Sequence, residues 1–349
     1  MDSSAPSRAR ALAVCGAAGV ATAIIAACSS GGTDGVQAAA GRPALTLQSQ
    51  YESVVQAVLP SVVQISTRDS TGSGVVYDGK GDIVTNAHVV GDARTVLVLP
   101  STGSKQIPAT VIGSFPPDDL AVVRVDSNAA SLRPATFTSA QDDKVGEIVL
   151  AMGNPLGLTD SVTQGIISAT GRTVSGGPQG STLINSAVQT SAPINPGNSG
   201  GALVDLSEQV VGIPTLAARD PAAGTAAQGI GFAIPSSTVR NIAGQLIASG
   251  KVTHSDRAAL GVRAQTMGNR QGQPAGVAVV AVSAGSPAAR AGISRGDVIT
   301  ALNGSSTPSL AQLAGELARL RPGQQATVQL SVAGGHRTVT VTLGSLGSR

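Results

Sequence analysis

Tryptophan is absent, and the aromatic residues are few: Tyr51, Tyr77, Phe115, Phe137 and Phe232. Any core must therefore be aliphatic, and a 42% hydrophobic composition rich in Val and Ile leans toward strands. Cysteine is confined to Cys15 and Cys28. The chain beyond Cys28 has no thiol, which excludes disulfides, cysteine-held metal and thiol redox chemistry there. No basic run accompanies the formal net charge of +3. Nothing in the sequence could follow a phosphate backbone, so nucleic acid is excluded as a partner. Glycine is abundant, at 44 residues, which suits many tight turns better than long helices.

The N-terminus has the pattern of an export segment. Arg8 and Arg10 precede an apolar run from Ala11 to Ala27, and small residues follow. Ile25, Ala26, Ala27 and Cys28 resemble a bacterial lipobox, in which Cys28 is lipidated and heads the mature chain. An uncleaved membrane helix over Ala11–Ala27 and ordinary secretion are the alternatives. Residues 1–27 are thus read as a lipoprotein signal peptide and 28–48 as a flexible tether poor in periodicity. A short helix is expected from Gln50 to Leu59, stopped by Pro60.

From Val62 the pattern turns to short strands with glycine turns between them, first to about Val125 and again from Glu147 to Ile234. A helix is expected from Ser236 to Ala248, because Val239, Ile242, Ala243, Leu246 and Ile247 form one apolar stripe. These elements make a body over 49–250. Composition shifts near Ala258, giving a small second domain over 257–345 with strands and one good helix. Thr307 reads as that helix's N-cap, with Pro308 in its first turn and Pro322 and Gly323 stopping it.

The chemistry concentrates at three places. Ser199 lies in a turn with Gly197 before it and Gly200 and Gly201 after it. Such a turn can expose a hydroxyl and aim two backbone N–H groups, those of Gly197 and Ser199, at one point in front of it. His88 ends an apolar strand, and Asp119 directly precedes another, with Asp118 as the alternative acid. His, Asp, Ser is the triad order of two-barrel, chymotrypsin-like enzymes. An α/β-hydrolase elbow at Ser199 would need its acid and histidine downstream, where only His254 and His336 stand, in a linker and a hairpin.

In order along the chain, the segments at Gly72–Val76, His88, Asp118–Val122, Gly153–Gly157, Gly165–Ser168, Ser199 and Gly229–Ser236 resemble those of the HtrA (DegP/DegS-like) serine proteases. The resemblance runs from about Tyr51 to Leu343. It implies a mostly β chain: a chymotrypsin-like double β-barrel followed by a small α+β PDZ domain. It also implies an endopeptidase with catalytic His88, Asp119 and Ser199 and with no cofactor or metal. A specificity pocket is expected around Pro193, Ile194, Gly229, Ile230, Gly231 and Phe232. Pro193 stands six residues before Ser199, where trypsin keeps an aspartate, so small or medium apolar residues are the expected preference. Asn198 is neutral and cannot pair with a freed N-terminal amine. The resemblance implies control by loops instead, at Arg172–Ser181 and Leu216–Gly224. Ser191 stands where many relatives have aspartate, which leaves a local contact in question.

Leu260, Gly261 and Val262 look like a PDZ carboxylate-binding loop, with the strand after them as the one a peptide extends. Implied partners are unfolded polypeptides and protein C-termini, the membrane through the lipid on Cys28, and a homotrimer, although Tyr51 is the only aromatic near the N-terminal segment. The implied role is degradation of unfolded or damaged envelope proteins on the extracytoplasmic side. A sensor protease with one membrane substrate, and a silent chaperone or binding protein, are the competing readings.

Overall fold

The computed structural model describes residues 34–126, 132–139, 143–154, 161–176, 182–195, 197–219, 226–332 and 335–347. The chain divides into two compact units, Met1–Leu47 and Gln48–Arg349. Cys15, Cys28 and the apolar run Ala11–Ala27 lie outside the described residues. Among the described residues no helix is long and apolar enough to cross a membrane.

The first helix spans Asp34–Val58, not Gln50–Leu59. Much of the stretch read as a tether is therefore helical. Ala38, Ala39, Ala40 and Ala44 supply the helix propensity that the reading of Gly and Ser as flexible discounted.

Six strands then close into a barrel: β1 (Val62–Ser66), β2 (Thr71–Val76), β3 (Asp82–Thr85), β4 (Thr95–Pro100), β5 (Ile107–Phe115) and β6 (Leu120–Val125). They run in the order β1-β2-β3-β6-β5-β4, and β4 pairs back onto β1. Its interior is aliphatic, with Val63, Ile65, Ile83, Val98 and Val123 fully buried.

The second barrel uses β8 (Ile148–Gly153), β9 (Ser161–Gly176), β10 (Thr182–Thr190), β11 (Ala202–Asp205), β12 (Gln209–Arg219) and β13 (Ala226–Pro235), with β7 (Thr136–Phe137) added in parallel on β12. The order β11-β8-β9-β10-β13-β12 closes through the β11–β12 pairing. One apolar cluster, including Phe115 and Leu120 from the first barrel and Leu150 and Ile213 from the second, joins the two. The helix Ser236–Ser249 packs Val239, Ile242 and Leu246 into that cluster. It ends at Gly250 in the left-handed conformation, as the sequence indicates.

Beyond it a separate core forms around Leu260, Val277, Ile299, Leu313, Val328 and Leu330. The strand Val262–Gly268 begins a five-stranded path that ends with the hairpin of Gln325–Val332 and Gly335–Thr342. The helix here is Leu310–Ala318, capped by Ser309, whose hydroxyl accepts the Gln312 N–H. Thr307 is not the cap: its N–H is engaged by the Thr300 carbonyl and its side chain is buried.

Candidate active site

β3 leads into a short helical turn, Ala87–Val90, that carries His88. Ala87, Val89 and Val90 are buried beneath it, which turns the imidazole outward, and the His88 side chain remains half exposed. Asp119 sits between a 3-10 turn (Pro116–Asp118) and β6, in the left-handed conformation at φ 52°. A non-glycine residue pays about 1–2 kcal/mol for that geometry, so something must hold it there. Two donors do, because the Asp119 carbonyl accepts the Ala87 N–H at 3.1 Å and the Asn86 side-chain amide at 3.0 Å.

The Asp119 carboxylate is buried and has donors at both oxygens. Oδ1 accepts the His88 backbone N–H at 3.0 Å, and Oδ2 lies 2.8 Å from His88 Nδ1. The Thr215 hydroxyl, from β12, also donates to Oδ2. This arrangement places the ring proton on Nδ1 and leaves Nε2 as the acceptor. Asp118 points elsewhere: it is 3.1 Å from Arg257, so of the two adjacent acids Asp119 is the one at the histidine.

Ser199 lies in the turn between β10 and β11. The Asn198 and Gly201 N–H groups bond within the turn, and the Gly200 N–H bonds to the Pro214 carbonyl. The N–H groups of Gly197 and Ser199 make no hydrogen bond among the described residues. The Asn198 amide closes the turn, accepting from the Asn195 N–H at 3.1 Å and donating to the Pro193 carbonyl at 3.1 Å. Ser199 Oγ and His88 Nε2 are not hydrogen-bonded to each other. In apo sites this contact often tightens only when substrate binds.

Ile194 packs against Gly231, where a β-carbon would overlap the Ile194 side chain. Gly231 and Phe232 pair with Thr190 and Gln189 across β10 and β13. Ile194 and Phe232 are buried, Ile230 is exposed, and Gly229 takes a positive φ of 70° at the bend before them. Pro193, Ile194 and Gly229–Phe232 carry no charge. Ser191 does keep a local contact, because its hydroxyl accepts the Ile166 N–H at 3.0 Å. Of the two stretches read as regulatory loops, Arg172–Gly176 and Leu216–Arg219 are strand, and 177–181 and 220–224 lie outside the described residues.

The family described as trypsin-like peptidase domain matches residues 72–213, and the PDZ domain family matches 258–343. Serine protease PepD of Mycobacterium tuberculosis is 38% identical over 339 residues, which cover 90% of this chain and 70% of that protein. A solved structure of the HtrA-type protease AlgW with tripeptide superposes with a TM-score of 0.56 at 34% identity, covering 84% of this chain and 96% of that one. The chain belongs to the HtrA family of serine proteases. A probable periplasmic serine endoprotease, DegP-like, from Rhizobium meliloti is 40% identical over 286 residues, 79% of this chain. The chain spans 54% of that relative's length.

In the PDZ domain of this HtrA protease, Gly261 adopts φ 75°, and a β-carbon there would strike Ser286. The Leu260 and Gly261 carbonyls are held inward by the N–H groups of Ala288 and Ser283. Val262 opens the edge strand Val262–Gly268, beside the helix Leu310–Ala318, whose first N–H donates to Thr266 Oγ1 at 3.0 Å. His254 and His336 stand apart from the site, His254 with its ring against Thr253 and His336 in the exposed terminal hairpin. Sequence reasoning missed Thr215. A threonine inside an apolar strand gives no local sign that it meets Asp119, 96 residues away.

Proposed function

We propose that the protein is an extracytoplasmic serine endopeptidase in which His88, Asp119 and Ser199 form the catalytic triad. The observation that carries this reading is the buried Asp119 carboxylate, with Oδ2 2.8 Å from His88 Nδ1 and Oδ1 accepting the His88 N–H. Ser199 Oγ attacks the scissile carbonyl while His88 Nε2 takes its proton. Asp119 fixes the tautomer and stabilises the imidazolium. The N–H groups of Gly197 and Ser199, with no acceptor among the described residues, receive the developing oxyanion. His88 then returns the proton to the leaving amine, and water repeats the cycle on the acyl-enzyme.

The uncharged Pro193, Ile194 and Gly229–Phe232 favour small or medium apolar residues on the acyl side of the cut. Extended chains suit such a cleft, so unfolded or damaged envelope proteins are the proposed substrates. Protein C-termini would extend the Val262–Gly268 strand with their carboxylate at Leu260–Val262, and so regulate the protease. The name of the DegP-like relative supports an extracytoplasmic location. The lipobox-like segment supports anchoring through a lipidated Cys28.

The test is casein cleavage by the full chain beside Ser199→Ala, with and without apolar C-terminal peptides. Loss of the serine should cost on the order of 10⁶-fold in turnover. Equal inertness of both proteins, with the wild type also refusing a fluorophosphonate probe, would sink the protease reading and favour a binding protein.

A further inference from the structure

Ser73 is fully buried in β2 of the first barrel, yet most of its polar groups serve the second. Its N–H donates to the Ser199 carbonyl at 2.9 Å. Its hydroxyl donates to the Gly197 carbonyl at 2.5 Å and accepts the Asn154 N–H at 2.9 Å. Its own carbonyl accepts the Thr85 hydroxyl at 2.6 Å, beside the turn that carries His88. The Asn154 N–H occupies one lone pair of the hydroxyl, which directs the Ser73 proton to Gly197.

The two carbonyls that Ser73 holds belong to the two residues whose N–H groups have no acceptor among the described residues. Within the turn, the Gly197 and Ser199 carbonyls face β2, and among the described residues the N–H groups of the same residues are left clear of internal partners. Gly197 sits at φ 116°, a conformation that glycine leaves as readily as it enters. The bonds within the turn are made by Asn195, Asn198 and Gly201, and these do not hold the Gly197 peptide itself. An oxyanion site needs donors fixed before charge develops, so an external clamp on this turn bears on turnover.

We propose that Ser73 is a positioning residue for the oxyanion hole, its hydroxyl locking the Gly197 peptide so that the Gly197 N–H keeps its aim. This rests on the reading of Gly197 and Ser199 as the oxyanion donors. Ser73 touches no reacting atom; it acts through the carbonyl of Gly197. Its backbone bond to Ser199 does not depend on the side chain, so replacement by Ala or Cys isolates the hydroxyl.

The experiment compares the full-length wild type with Ser73→Ala and with Ser73→Cys, whose side chain is somewhat larger and a weaker donor. It measures kcat and KM on an apolar peptide substrate, inhibition by a peptide boronate that forms a tetrahedral adduct on serine, and thermal unfolding. Ser73→Ala should lower kcat roughly 10- to 100-fold with KM within about twofold, and Ser73→Cys should fall between it and the wild type. Boronate affinity should fall in parallel with kcat, because the adduct uses the same two N–H groups. If Ser73→Ala does not fold, the kcat-against-KM split in Ser73→Cys decides the matter. Unchanged kcat and boronate affinity, or a loss confined to KM, would overturn the proposal. A wild type inert to substrate and fluorophosphonate alike would remove it together with the protease reading beneath it.

Discussion

Arg257, at the threshold of the PDZ domain, is paired with Asp118 of the first barrel at 3.1 Å and donates also to the Pro117 carbonyl. The next residue in the chain is Asp119, whose carboxylate faces His88. Two adjacent acids thus look toward different parts of the molecule, one to the candidate active site and one to the second domain.

Both members of that pair are largely buried, with side chains 13% and 5% exposed. Arg257→Ala leaves a buried carboxylate alone and should cost about 3–5 kcal/mol near neutral pH. Adding Asp118→Asn should recover most of it, since no charge then remains unpaired. Urea unfolding of the three proteins checks this, and equal losses in the single and double variants would contradict it.

Burial raises the Asp118 carboxyl above its ordinary value of 3.8, and Arg257 opposes the shift without cancelling it. An acid with a raised folded-state pKa binds its proton more tightly when folded. Its contribution to stability is then full below 3.8 and is lost as pH rises through the folded value. The stability difference between wild type and Asp118→Asn should therefore change across that window and be level above it. A difference constant from acid to neutral pH would refute the linkage.

Thr215 donates to the carboxylate oxygen that faces the ring of His88. Thr215→Val removes that donor at nearly constant volume and should lower kcat about tenfold, whereas Thr215→Ser should stay near wild type. Asp119→Asn should be far worse, about 10⁴-fold, because it favours the wrong tautomer. Steady-state kinetics on one peptide substrate separates the three.

Gly200 has φ 82°, and a β-carbon there would strike the Ser73 carbonyl and the Thr85 hydroxyl. Gly171 has φ 70° with open space around it. Gly171→Ala should cost only the left-handed strain of about 1–2 kcal/mol, and Gly200→Ala about 1–3 kcal/mol more from overpacking. Thermal unfolding compares them, and similar midpoints would contradict this account of the turn.

The mostly β architecture, the two strand-rich halves and the helix Ser236–Ser249 were legible in the sequence, because alternation, glycine turns and an apolar stripe are local signals. The pairing of Asp119 with His88 was legible for the same reason, each residue standing in a short distinctive setting. Thr215, Ser73 and Arg257 were not. Their partners lie 96, 124 and 139 residues away, and only barrel closure and domain packing bring them together. Thr307 was read as a cap because Pro308 follows it. The strand bond from its N–H to Thr300 draws it inward and leaves the role to Ser309.

His88 and Asp119 come from the first barrel and Ser199 from the second, and the two halves meet in one shared apolar cluster. With the triad as proposed, a chain in which only one barrel has folded holds either a base without a nucleophile or a nucleophile without a base. Such a triad is complete only once the two barrels have met. A chain still unfolded is therefore safe from those of its copies whose barrels have not yet joined.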